Sequence, residues 1–151
     1  RDYHFPIKIE LIISNNIKAK GLEFAKKYNI PFKFFAYDNQ EKFERNSLYE
    51  IKKRKIKFIC LAGFMKILSA NFIRNFGHQI INIHPSLLPK FKGLNTHKRV
   101  LESKAKYSGC TVHFVAPKLD SGKIIFPESN LGVTKCTVQP EYLSLLFKTL
   151  L

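Results

Sequence analysis

The chain has 151 residues, 45% of them hydrophobic, and a formal net charge of +15. That length suits one domain with a sizeable core, and no apolar run reaches the ~18–20 residues of a membrane-spanning helix. Of the 26 basic residues 21 are Lys and only 5 are Arg; nucleic-acid readers favour Arg forks and interleaved aromatics, so nucleic acid is not expected as a partner, and the charge suits an anionic small substrate.

The chain starts at Arg1 without a signal-peptide pattern and runs almost at once into the β-rich "PIKIELIIS" (6–14), which reads as a chain cropped at its front. "KAKGLEFAKKY" (18–28) has helical spacing, with Ala19, Leu22 and Ala25 on one side. "PFKFFAY" (31–37) predicts a strand, and "QEKFERNSLYEIKKRK" (40–55) a helix facing inward through Phe43, Ser47, Leu48 and Ile51. The run Lys52-Lys53-Arg54-Lys55 closes that helix, where cations suit the dipole. "IKFICLA" (56–62) is a continuous apolar run, as expected of a strand covered on both faces. "SANFIRNF" (69–76) predicts a short helix capped by Ser69. "QIINIH" (79–84) predicts a strand and "NTHKRVLES" (95–103) a helix. "GCTVHFVA" (109–116) and "KIIFP" (123–127) predict strands, and "PEYLSLLFKTLL" (140–151) a helix with Pro140 in its first turn.

Alternating strand and helix implies an α/β fold with a mostly parallel, doubly wound (Rossmann-like) sheet. Ligands of such sheets sit beyond the carboxyl ends of the strands. Cys60, Cys110 and Cys136 lie far apart, with no CxxC and no His at metal spacing. They read as reduced thiols of a cytoplasmic protein, with no metal site, and Cys60 as a small buried thiol in its strand.

Polar groups capable of chemistry stand at strand ends. Asn82 and His84 share one face of their strand, because side chains alternate. Asp120 follows "VHFVAPKL" in a loop closed by Ser121-Gly122. A carboxamide, an imidazole and a carboxylate together can stabilise an oxyanion and move a proton. On spacing alone the structural reading of His84 leads. His113, in the middle of "TVHFV", reads as a core or supporting histidine. Pro85 and Pro89 bracket a non-helical loop whose polar groups can face a ligand.

At these positions the chain resembles a known family. "LAGFMKILS", "NIHPSLLPKFKGLNTH", "GCTVHFV" and "LDSGKII" resemble the phosphoribosylglycinamide formyltransferases, in family order and with family-like spacing over roughly residues 8–126. "SNNIKAKGLEFAKKYNI" resembles the family's segment after its second strand. The resemblance implies transfer of a formyl group from 10-formyltetrahydrofolate, the co-substrate, to the amine of glycinamide ribonucleotide. It implies no metal. It places Asn82, His84 and Asp120 on the catalytic trio, with Asn82 and a protonated His84 donating to the oxyanion and Asp120 favouring the imidazolium and helping to relay protons. Met65, Lys66, Ile67 and Leu68 fall on the folate contact, with Asn82 beside them. Ala116, Pro117, Lys118, Leu119 and Asp120 fall on the loop bordering the pterin. Pro85 and Ser86 fall on the substrate side of the turn, and Leu88-Pro89 on a bond that is cis in the family.

Three departures qualify the likeness. Nothing corresponds to the family's first strand and phosphate loop, so the expectation is one formyltransferase-like domain over 1–151, incomplete at both termini, with an open sheet whose edges lie beside "PIKIELIIS" or "IKFICLA". Gln40 stands where the family usually has Arg or Lys, removing one anion contact. The end, "TKCTVQPEYLSLLFKTLL" (134–151), matches poorly and stops before the family's ribose-contacting Glu. Alternatives are an inactive or partial folate-binding remnant, a 10-formyltetrahydrofolate hydrolase, which Pro85 argues against, and a methionyl-tRNA formyltransferase, which needs a further domain. The sequence leaves the oligomeric state open.

Overall fold

The computed structural model describes residues 7–131. Strand β1 (Ile12–Ser14) runs through helix α1 (Lys20–Lys27) to β2 (Phe32–Phe34), and the two strands pair in parallel. Helix α2 (Gln40–Lys53) leads to β3 (Phe58–Leu61), and α3 (Ala70–Phe76) leads to β4 (Gln79–His84), which is parallel to β3. Helix α4 (Thr96–Glu102) precedes β5 (Tyr107–Phe114), antiparallel to β4, and β6 (Ile124–Leu131) pairs antiparallel with β5. The fold is α/β as the alternation predicts, with parallel pairing in β1–β2 and β3–β4 and antiparallel pairing from β4 onward. The expected helix over 140–151 and Cys136 lie outside the described residues. No helix among the described residues is long and apolar enough to cross a membrane.

The strands form two ladders, β1–β2 and β3–β4–β5–β6. Among the described residues, β1 and β3 each pair on one side only, which is the open form expected of the sheet. β1 is shorter than the alternation of "PIKIELIIS" suggests. A strand persists only where its backbone groups find partners, and β2 supplies them for Ile12, Ile13 and Ser14 alone. The one-sided pairing also corrects two expectations for β3. Its residues are half-buried or exposed rather than covered on both faces. Cys60 is exposed rather than buried, although the apolar surroundings still push its thiol pKa up.

Caps set the helices that flank the site. The Asn39 side chain accepts from the Lys42 amide at 2.8 Å to start α2, and the Ser69 hydroxyl accepts from the Phe72 amide at 3.0 Å to start α3. α3 ends at Gly77, whose φ of +70° lies in the left-handed region.

The faces of β4 separate core from chemistry. Ile80 joins Ile51, Leu68, Phe72 and Phe76 in one buried cluster, with Ile59, Leu61 and Val115 against it. Ile81, one residue on, belongs to a second cluster with Val112, Ile83 and Phe114. Side chains alternate along a strand, so Asn82 and His84 continue the face of Ile80. The register sets Asn82 opposite His113 and His84 opposite Thr111. Two adjacent strands thus carry four polar side chains on one face, just beyond the apolar cluster.

Candidate active site

β4 delivers Asn82 and His84 at its carboxyl end, where β3 also stops at Leu61. The loop 115–123 leaves β5 at the level of Ile80, with the Val115 amide donating to the Ile80 carbonyl at 2.8 Å. It then folds back so that Asp120 meets His84. Asp120 Oδ2 lies 3.4 Å from His84 Nδ1, and the Gly93 amide donates to the same oxygen at 2.8 Å. Asp120 Oδ1 lies 3.7 Å from His113 Nε2. The structure therefore brings together the three predicted residues and adds His113 behind them. Asp120 has a φ of +44°, a left-handed conformation that Asp adopts more readily than most residues and that its two partners hold in place.

The ring nitrogens of the two histidines have different partners. His84 Nε2 donates to the Phe91 carbonyl at 3.0 Å. A carbonyl only accepts, so Nε2 carries a hydrogen. The Asp120 carboxylate faces the other ring nitrogen, Nδ1, and would accept from a hydrogen placed there. Both ring nitrogens of His84 thus face protein groups, the Phe91 carbonyl at 3.0 Å and the Asp120 carboxylate at 3.4 Å. His113 is the opposite case. Its Nδ1 donates to the Phe114 carbonyl at 2.9 Å, and Asn82 Nδ2 donates to its Nε2 at 3.3 Å. That pattern requires a neutral ring, and it fixes which way the Asn82 amide points: one N–H goes to His113, and the other has no acceptor among the described residues.

Burial is the main influence on His113 and holds its pKa below the ordinary value of 6.5. The unfolded chain therefore binds a proton more readily than the folded one. Stability from the neutral ring is fully present above ~6.5 and is lost as pH falls through that value towards the lower folded one. Thermal melts between about pH 8 and 5.5 should show the melting temperature falling on the acid side, and His113→Asn should flatten that fall. Parallel pH profiles for the two proteins would rule this out.

The Pro-bracketed turn is tied down from within. The Thr111 hydroxyl donates to the Ser86 carbonyl at 2.7 Å and accepts from the Leu88 amide at 3.0 Å. The Ser86 hydroxyl donates to the carbonyls of Lys90 and Phe91 at 2.8 and 3.2 Å. Ser86 is buried and its hydroxyl is committed to the turn, whereas Pro85 is half-buried. The Leu88-Pro89 bond is cis.

The segments expected to meet folate flank this turn. Phe64, Leu68 and Val115 share the cluster around Ile80, which places residues 65–68 and the loop 116–120 at one end of the strands. Leu68 is buried, whereas Met65, Ile67 and Leu119 are more than 40% exposed, at 58%, 57% and 44%. Ala116 is half-buried, and Pro117 and Lys118 are exposed. The Ser121 hydroxyl closes the loop on the Lys118 carbonyl at 2.8 Å. Gly122 passes so close to β5 that a Cβ there would lie 1.8 Å from the Phe114 carbonyl oxygen, so only glycine fits. Among the described residues no group of three His, Cys, Asp or Glu side chains is placed to hold a metal ion.

Comparison with known proteins gives the geometry its family. A family model described as "Formyl transferase" matches residues 1–142. The phosphoribosylglycinamide formyltransferase of Haemophilus influenzae is 40% identical over 151 aligned residues, covering 91% of this chain and 70% of that protein. The trifunctional purine biosynthetic protein adenosine-3 of Gallus gallus is 43% identical over 125 residues, and this chain spans only 12% of its length. Among solved structures, a phosphoribosylglycinamide formyltransferase from Anaplasma phagocytophilum superposes with a TM-score of 0.79 at 37% identity, covering 95% of this chain and 67% of that one. With sequence and backbone agreeing over nearly all of its length, the chain belongs to the formyl transferase family and is similar to the phosphoribosylglycinamide formyltransferases within it.

Proposed function

We propose that this site transfers a formyl group from 10-formyltetrahydrofolate to the amine of glycinamide ribonucleotide, with residues 1–151 serving as one formyltransferase-like domain. The observation that carries the reading is the meeting of the Asn82 amide with the His84–Asp120 pair at the carboxyl ends of β3 and β4, beside an exposed apolar margin. The residues present suit a folate. Met65, Ile67 and Leu119 offer apolar surface to a flat ring. Among the described residues, none of the backbone N–H groups of 65–68 has a protein acceptor, so they are free to read a heterocycle's polar edge.

The folate supplies the formyl group, and the chain's own residues do the rest. The second N–H of Asn82 faces the site as a donor for negative charge growing on the formyl oxygen. The imidazolium form of His84, held between the Phe91 carbonyl and Asp120, adds a positive charge close by. Asp120 Oδ2 already accepts from Gly93, whereas Oδ1 has no hydrogen-bond donor among the described residues. Oδ1 is therefore the atom suited to take the proton released by the amine as its new C–N bond forms, and to pass it, directly or through a water, to the folate nitrogen as the old C–N bond to the formyl carbon breaks. The net charge of +15 suits an anionic ribonucleotide.

Titration calorimetry of the folded chain with a non-transferable 10-formyl folate analogue tests the reading. Saturable one-site binding is expected. A folded sample that takes up no analogue would sink the proposal.

A further inference from the structure

Glu44 is the unexplained carboxylate of the molecule. It lies on α2, outside the catalytic cluster, and is only 7% exposed. A buried carboxylate ordinarily needs a cation or a full set of hydrogen-bond donors. Glu44 has the donors. Gln40 Nε2 and the Ser69 amide donate to Oε1 at 2.9 and 2.7 Å, and the Ser69 hydroxyl donates to Oε2. Gln40 Nε2 also donates to the Ile67 carbonyl at 3.0 Å. Gln40 and Glu44 stand one helical turn apart, so both reach the same side of α2.

What they grip is the irregular segment between β3 and α3. Residues 64–69 have no regular secondary structure. Three things fix their path: Leu68 inserted in the core, Ile67 held by Gln40, and Ser69 held by Glu44. Met65, Lys66 and Ile67 are left on the outside, with their backbone amides unused.

We infer that Gln40 and Glu44 are positioning residues for folate: together they form a two-pronged clamp that sets the backbone shape of Met65–Leu68. The inference rests on the proposed function, which puts folate against that segment. It also gives Gln40 a task of its own. A merely structural Glu44, serving only to brace the start of α3, would alter the melt and leave the affinity of the folded protein unchanged.

The test has two arms. In the first, the affinity for a non-transferable 10-formyl folate analogue is measured well below each melting temperature. Gln40→Ala removes a donor from the buried Glu44 carboxylate and from the Ile67 carbonyl, so it should lower the melt modestly and weaken binding by the folded protein roughly threefold to tenfold. Glu44→Ala should weaken it at least about tenfold, because a charge-assisted pair is lost. Glu44→Gln retains an acceptor for Gln40 and the Ser69 amide, and should restore affinity to within about threefold of wild type. Glu41→Ala, exposed on the same helix, should change nothing. In the second arm, hydrogen exchange of the Ser69 amide is followed without ligand, and should accelerate in Glu44→Ala and not in Glu41→Ala. Wild-type affinity in folded Gln40→Ala and Glu44→Ala would overturn the positioning role, even if exchange accelerates. Unchanged exchange in Glu44→Ala would overturn the clamp itself. Absence of binding by wild-type protein would instead count against the proposed function, and the exchange arm would still decide whether the clamp exists.

Discussion

Replacing Asp120 by Asn should lower formyl transfer by about 10²–10³-fold while folate affinity stays near wild type. The substitution keeps the side chain's outline, and an Asn oxygen can still accept from the Gly93 amide, so the loop 115–123 stays in place. Two things are lost. The anion 3.4 Å from His84 Nδ1 disappears, and with it the partner that matches an imidazolium. The second oxygen becomes an NH2 group and can no longer take the amine's proton. Electrostatic stabilisation of this kind is typically worth about 3 kcal/mol in an active site, and the acid–base contribution adds to it. Steady-state rates with both substrates saturating, together with analogue affinity, separate the chemical loss from a binding loss. Near-normal turnover would mean that His84 and Asp120 form a structural pair.

Asn82→Asp should be at least as damaging, and it should leave a second signature. In the wild type, Asn82 Nδ2 donates to His113 Nε2 at 3.3 Å. A carboxylate at that position has nothing to donate. It faces the lone pair of the neutral ring and sets an anion where negative charge must grow in the reaction. The expected turnover loss is about 10³-fold or more. The only local remedy is a proton on His113 Nε2, so the pKa of His113, which burial keeps low in the wild type, should rise. NMR titration of the ring reads that change directly. A His113 titration identical to wild type would show that Asn82 does not set its state, and the orientation argued for the Asn82 amide would fall with it.

Much of this was legible in the sequence, for physical reasons that can be named. "QIINIH" predicted β4 to the residue, because a buried strand flanked by partners on both sides must keep its apolar run and its period of two. The same reasoning overran on β1, where alternation continues through residues 7–11 but β2 offers no ladder partner. Pattern records which face of a segment is apolar; it does not record who pairs with it. Helix ends were blurred where left-handed residues are not glycine: Asn29, Lys55 and Lys104 follow α1, α2 and α4 with φ near +50°. Only Gly77, after α3, announced its stop.

The site divides in the same way. Asn82, His84 and Asp120 could be named because an amide, an imidazole and a carboxylate are side chains capable of such chemistry and the resemblance set them in order. The partners that orient them were hidden. The Phe91 carbonyl and the Gly93 amide are backbone atoms, for which residue identity carries no signal. Glu44 gives no sign of its burial in the sequence, since charged residues are seldom buried. What buries it is Ser69, 25 positions away, and no local pattern links the two. The Ser86 hydroxyl is likewise spent on backbone carbonyls of the turn, which residue identity does not signal.

The measurement that bears most directly on the account follows a labelled formyl group from 10-formyltetrahydrofolate in the presence of glycinamide ribonucleotide. The account predicts that the label moves to the amine of the ribonucleotide, at a rate that Asp120→Asn and Asn82→Asp depress and Glu41→Ala does not. Label released only as formate would contradict it and make the site a hydrolase; label retained on the folate, by a protein that binds both molecules, would contradict it outright.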